Sequence, residues 1–363
     1  SIDLDIGTLR FADRTFNDLR ITGKRIKNNL QLDLVGPQVK GGMLLASSER
    51  GDESINARFE FLKLAPDQPS ISTPVAAESG EHRKRIPAAL NVIVESFEFE
   101  GKSLGRLELL AAPEKTGWRL ERLAIANPDG RIDVRGNWSV TGRPHAEYAV
   151  RFEASDTGKF LARLGYAEAV VGGTASLTGP VSWLGGPFKP DLPTLTGKLK
   201  LEVAVGRFAQ VDPGAGQLIG LLSLQALPRR ITLNFNDVFS SGFSFDRIEA
   251  DVVVTEGLAQ TDNFRMEGPA AEVTMRGEVN LVTETQNVDV RVKPMLSTAA
   301  AVAGAAVINP LVGVATLLVQ KALGDPVEEA ASRYYRVTGT WGDPQIERIK
   351  RPASQDKASA AGR

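Results

Sequence analysis

The sequence predicts a mostly β protein: a long antiparallel sheet with one apolar side, a few short helices, and an apolar helical pair near the C-terminus. Three observations predict it. Apolar and polar residues alternate in short runs from Ile2 to Ile346, and a period of two gives a strand one apolar and one wet face. Turn residues such as Asn28-Asn29 and Gly41-Gly42 separate the runs. Charges of both signs fill the polar parity, as with Asp133 and Arg135, or Lys198, Lys200 and Glu202, which is the composition of a solvated sheet face.

Residues 1–64 read as a first sheet segment, in which Ile2, Leu4 and Ile6 alternate with Asp3 and Asp5, and Leu30, Leu32 and Leu34 repeat the rhythm. From 65 to 89 the alternation stops, and Pro66, Pro69, Pro74 and Pro87 lie among Ser, Ala and Glu residues, the composition of a loop or linker. Its run His82-Arg83-Lys84-Arg85 has two readings, a solvated linker or a contact with anionic headgroups. The main sheet, 90–292, then begins at Leu90. Within it, Asp156 is placed to cap a short helix near 157–165, with Phe160, Leu161 and Leu164 apolar and Gly165 as the stop. A second helix is expected near 214–226, where Leu218, Leu221, Leu222 and Leu224 give a broad apolar side. A terminal strand at 325–348 and a disordered tail at 349–363 complete the chain.

No charged residue lies between Lys293 and Lys321. Asn309-Pro310 interrupts this stretch, so the region 293–324 reads as two helices, about Leu296 to Ile308 and Pro310 to Leu323, with proline at a first helical position. Each would be roughly 20 Å long, short of a ~30 Å hydrocarbon core. Three roles stay open: packing against the sheet, dipping into a membrane surface, and a true span. Leu311, Val312, Leu317 and Leu318 are the candidate membrane-contact or capping residues.

Composition narrows the chemistry. The 363 residues carry 43 basic and 44 acidic side chains, so no global basic field attracts nucleic acid. Cysteine is absent, which removes disulfides, thiolate metal sites and cysteine nucleophiles. The two histidines, His82 and His145, have no partner at ligand spacing, and no metal site is expected. There is no phosphate-binding glycine loop and no nucleophile elbow. Carboxylate pairs such as Glu98 and Glu100 fall on wet faces of strands. No catalytic residue and no cofactor are expected. The chain begins at Ser1 inside an alternating run and is read as a segment of a longer protein, so a missing leader carries no weight.

Residues Leu123 to Val140 and Phe264 to Leu281 align at a constant offset, with Pro128 beside Pro269 and Arg135-Gly136 beside Arg276-Gly277. The alignment reads as an internal repeat, with chance similarity between amphipathic strands as the alternative.

From Leu195-Thr196-Gly197-Lys198-Leu199 onward the sequence becomes more specific. It passes through Gly206-Arg207-Phe208, Val211-Asp212-Pro213-Gly214 and Leu221-Leu222-Ser223-Leu224 to Gly242-Phe243-Ser244-Phe245-Asp246, and ends on Tyr335-Arg336-Val337-Thr338-Gly339-Thr340-Trp341-Gly342. These residues resemble the C-terminal region of the YhdP branch of the AsmA-like proteins, related to TamB. The resemblance is closest over residues 155 to 348. It implies an elongated, twisted, taco-like sheet that holds phospholipid acyl chains in a continuous groove between inner and outer membranes. It also implies a periplasmic location in a Gram-negative bacterium, with the parent protein anchored in the inner membrane by an N-terminal helix outside this chain, and no enzymatic activity. Membrane contact would come through that anchor and through residues 295–323.

The candidate groove-lining residues are the apolar parity of the clearest strands: Leu199, Leu201, Val203, Ile248, Val252, Val254, Val273, Met275, Val279, Val288, Val290 and Val292. For each, the alternative is an ordinary sandwich core. Two other architectures share the alternation. A transmembrane β-barrel would need aromatic girdles, for which 6% aromatic content is sparse. A structural or adhesive solenoid or sandwich without lipid cargo is the main alternative function.

Overall fold

The computed structural model describes residues 2–11, 14–47, 53–65, 88–166, 169–208, 243–295 and 332–350. Eighteen strands in those residues join one sheet by hydrogen bonding, and contacts divide the chain into two units.

The first unit comprises Ser1–Ala167 and Leu177–Leu195. Its strands follow in order: β1 (Ile2–Phe11), β2 (Arg14–Ile26), β3 (Asn29–Val35), β4 (Val39–Ser47), β5 (Glu53–Leu64), β6 (Ala89–Phe99), β7 (Lys102–Glu114), β8 (Gly117–Asn127), β9 (Gly130–Ser139) and β10 (His145–Ala154). Each pairs with the next. Turns of two or three residues join most of them, so sequence neighbours become ladder neighbours at little loop-closure cost.

One ladder departs from the antiparallel expectation. Strands β5 and β6 run parallel, with Ser54 opposite Ala89 and Phe61 opposite Ser96. A parallel neighbour needs a connection that returns to the starting end of the strand, a dozen residues or more. The stretch between Leu64 and Ala89, read from sequence as a loop or linker, supplies about two dozen.

Helix α1 (Thr157–Arg163) forms where its cap was expected. The Asp156 carboxylate accepts the Lys159 backbone N–H at 3.0 Å, and that bond holds the Asp156 pKa below its ordinary value. Phe160 packs on Phe152 of β10 with ring centroids 4.7 Å apart. Arg163 pairs with the buried Asp129 in the β8–β9 turn. Gly165 follows at φ 92° and ends the helix.

The second unit comprises Glu168–Ser176 and Thr196–Arg363. Strand β11 (Val170–Leu184) therefore contributes to both units. The others are β12 (Thr196–Phe208), β13 (Phe243–Thr255), β14 (Leu258–Glu267), β15 (Ala271–Asn280), β16 (Thr285–Pro294), β17 (Arg333–Thr340) and β18 (Pro344–Ile349), consecutive and antiparallel from β12 onward. Strand β16 reaches Pro294, into the stretch read from sequence as the start of the helical pair. The helix expected near 214–226, the rest of that pair with Leu311, Val312, Leu317 and Leu318, the basic run 82–85 and the tail beyond Lys350 all lie outside the described residues. Among the described residues no helix is long and apolar enough to cross a membrane.

The repeat has a structural counterpart. Hairpins β8–β9 and β14–β15 each carry a register shift, between Leu120 and Leu123 in one and between Thr261 and Phe264 in the other. The shifts end at Leu123 and Phe264, the first residues of the two aligned segments. Both irregularities are pinned from the strand before: Arg122 pairs with Glu108 at 3.1 Å, and the Asn263 amide donates to Asp251 at 2.6 Å.

Candidate functional site

In the second unit the register gathers all twelve sequence-nominated residues on one face. Leu199 stands opposite Val252, Leu201 opposite Ala250 and Val203 opposite Ile248. Ile248 continues to Met266, Met266 to Val273 and Val273 to Val292. A second line runs from Phe264 through Met275 and Val290 to Tyr335. Ile248, Val254, Val273, Met275, Val279 and Val290 are buried, at 2 to 7% exposure. Leu199, Leu201, Val203, Val252, Val288 and Val292 are half-buried.

The opposite face carries the charges. Lys200 pairs with Glu202 at 2.6 Å, Arg265 with Glu272 at 3.2 Å and Arg336 with Asp289 at 2.8 Å. Such exposed pairs contribute little to stability, but they keep one side of the sheet wet. Two arginines break the apolar parity at the last strands: Arg333 opposite Val292, and Arg348 opposite Tyr335. Burial raises the Tyr335 pKa, and the two guanidiniums partly offset that rise.

Sequence reasoning read 1–64 and 90–292 as sheet but named no lining residue in the first unit, yet the longer apolar surface is there. One line crosses β3 to β10 through Leu32, Met43, Ala57, Val92, Leu109, Leu123, Val134 and Val150. A flanking line runs through Leu34, Gly41, Phe59, Val94, Leu107, Ile125, Ile132 and Phe152. The other flank is Leu30, Leu45, Ile55, Leu90, Ala111, Leu120, Gly136 and Tyr148. Eight strands at ~4.8 Å spacing make each line about 34 Å long. Most of these side chains are half-buried rather than sealed. The signal was present in the alternation at Leu30 to Leu34 and at Ile132 and Val134; what it lacked was the register that joins those runs.

The aromatic end of this face is ordered by hydrogen bonds. Trp118 and Trp138 lie opposite each other with ring centroids 5.4 Å apart. Their indole N–H groups donate to the carbonyls of Ala88 and Gly185. Tyr148 packs edge-on to Trp183 at 5.3 Å, and burial pushes its phenol pKa up to about 12. On the wet side, the Arg131 guanidinium beside Asp133 holds that carboxyl below its usual range.

At the far edge of the third line, Leu30, Leu45 and Ile55 form the floor of a cleft of about 460 Å³. Arg25, Asn28, Asn29, Ser47 and Glu53 are among its other lining residues. Among the described residues no group of three or more His, Asp or Glu side chains could hold a metal ion. Taken together, this geometry can cover apolar matter and present polar groups at a margin.

Comparison with known proteins gives the family. The family model described as YhdP protein matches residues 1–346. The intermembrane phospholipid transporter YhdP of Escherichia coli (strain K12) is 35% identical over 177 residues, which are 48% of this chain and 14% of that protein. The match thus spans about one-seventh of the relative's length. No solved structure matches significantly. With nearly its whole length covered by that family model, this chain belongs to the YhdP protein family.

Proposed function

We propose that this chain shields phospholipid acyl chains against its apolar sheet face and so forms part of an intermembrane phospholipid transporter, without catalysing a reaction. The observation that carries the reading is the set of three uninterrupted apolar lines across β3 to β10, half-buried over most of their length. A phospholipid in water exposes on the order of 30 methylenes at ~0.8 kcal/mol each, an obstacle above 20 kcal/mol. A sheet face about 34 Å long accommodates tails that fill half of a ~30 Å hydrocarbon core. The relative's name as an intermembrane phospholipid transporter supports the same cargo.

On this reading the protein works in the periplasm of a Gram-negative bacterium as a bridge between inner and outer membranes. The twelve nominated residues of the second unit line its groove, the parent protein is held by an inner-membrane anchor, and residues 295–323 touch or cap at a membrane.

Photo-crosslinking along β7 tests it. A crosslinker at Leu107 or Leu109 should capture phospholipid, and one at Glu108 or Leu110 should not. Equal labelling at both parities, or none at either, would refute the carrier.

A second reading rests on one observation. Ile248, Val273 and Val290 are 2 to 3% exposed, as in a dry protein core, which favours a scaffold without cargo in the second unit. Lipid attached through crosslinkers in the first unit alone would select that reading for the second.

A further inference from the structure

The cleft at the margin of the first unit adds to its apolar floor two charged walls that an apolar carrier surface does not require. Its floor is the outer end of an apolar line: Leu30, Leu45 and Ile55 face one another directly on β3, β4 and β5. Its walls carry opposite charges, Arg25 from β2 and Glu53 from β5, and Asn28, Asn29 and Ser47 also line it. Register places Arg25 beside Leu30, and Glu53 beside Ser47, so both charges stand on the apolar side of the sheet, at its rim. Three strand spacings, about 14 Å, separate their backbones.

These two charges do not neutralise each other. The Arg25 Nε donates to the Lys27 carbonyl at 3.2 Å, and neither Arg25 nor Glu53 forms an ion pair among the described residues. A guanidinium is a planar fork of donors suited to phosphate oxygens. A carboxylate accepts only, and suits an ammonium. A cleft of about 460 Å³ lies within the range of small-molecule sites.

We propose that this cleft seats the headgroup of a zwitterionic aminophospholipid: the phosphodiester against Arg25, the ammonium against Glu53, and the tails over Leu30, Leu45 and Ile55. The proposal rests on the carrier reading and adds headgroup selectivity to it. An anionic lipid without an amine leaves Glu53 facing a negative headgroup, and a diacylglycerol leaves both charges unused. The rim therefore sorts cargo that the apolar lines alone cannot distinguish.

The test is binding of short-chain phosphatidylethanolamine, phosphatidylglycerol and diacylglycerol to the full chain, with Glu53→Gln and Arg25→Gln variants. Both side chains are exposed, so neither substitution should alter folding. Phosphatidylethanolamine should bind about tenfold more tightly than phosphatidylglycerol, and Glu53→Gln should abolish that preference. Arg25→Gln should weaken both phospholipids about tenfold and leave diacylglycerol unchanged.

An unchanged preference in Glu53→Gln overturns the headgroup seat; if Leu107 still captures lipid in that variant, the carrier reading survives it. Failure of all three lipids to bind, with no capture at Leu107, overturns both. Phosphoethanolamine without tails is the last arm. Binding as tight as that of the lipid would assign the cleft to a free solute and overturn the proposal.

Discussion

Gly136 and Gly277 occupy the same place in two hairpins. Each sits in the second strand of its hairpin at strongly positive φ, 150° and 145°. Each brings its Cα so near the following strand that an added Cβ would stand 2.0 Å from the Glu147 carbonyl oxygen or 2.2 Å from that of Asn287. Positive φ and backbone contact both exclude a larger residue. The pair gives both hairpins the same device, the close approach of neighbouring strands.

Alanine at either position is therefore expected to cost about 2–4 kcal/mol, since the neighbour is backbone and cannot rotate away. Urea unfolding should show the loss in Gly136→Ala and in Gly277→Ala. Gly7→Ala, with nothing within 4 Å of the added atom, should be nearly neutral and serves as the control.

Much of the sheet was legible because period two survives without tertiary context. Leu199, Leu201 and Val203 alternate with Lys198, Lys200 and Glu202, and they lie on opposite faces as expected. Asp156 signalled the cap of α1 for a local reason, a carboxylate placed three residues before a free N–H. The parallel pairing of β5 and β6 was not legible. Nothing in Ile55 or Phe59 states the direction of the neighbouring strand; only the crossover length hints at it. The long lines of the first unit were missed for a related reason. Alternation tells which side a residue faces, whereas the alignment of Leu109 with Val92 and Leu123 depends on turn lengths and bulges.

The difference in burial between two nominated residues separates their mutants. Val252 is half-buried, so Val252→Asp should fold normally, by circular dichroism and by urea midpoint, while lowering the phospholipid that co-purifies with the chain. Val290 is 3% exposed, and Val290→Asp would place a carboxylate where water cannot solvate it. A loss of several kcal/mol is expected there, so a fall in bound lipid in that variant would reflect unfolding. Retention of wild-type lipid by well-folded Val252→Asp would remove Val252 from the groove.

Alkaline pH should expose the packing of Tyr148. Its phenol pKa is raised from 10.0 to about 12 by burial. A raised folded-state value means that the stabilisation is intact below pH 10 and is lost as pH climbs from 10 towards 12. The amount is on the order of 2–3 kcal/mol. Difference absorbance of phenolate should show a late-ionising step, and Tyr148→Phe should remove the part of that step that belongs to Tyr148. A Tyr148 that titrates near 10 would mean that the Trp183 edge contact is open to water.

Tryptophan fluorescence offers a probe of occupancy that needs no label. Trp118 and Trp138 are half-buried on the apolar face of the first unit, in the row beside the line that passes through Leu120 and Gly136. Bromine atoms on an acyl chain quench an indole only at contact distance. Phospholipid brominated along its tails should therefore dim the emission if chains lie on this face. In a Trp341→Phe background, the Trp118→Phe, Trp138→Phe double variant should lose most of the quenching, because the one tryptophan left, Trp183, is only 8% exposed and its N–H is engaged by the Gly186 carbonyl. Quenching that persists undiminished in the double variant would place the tails elsewhere, and the first unit's apolar lines would then be a surface covered by protein.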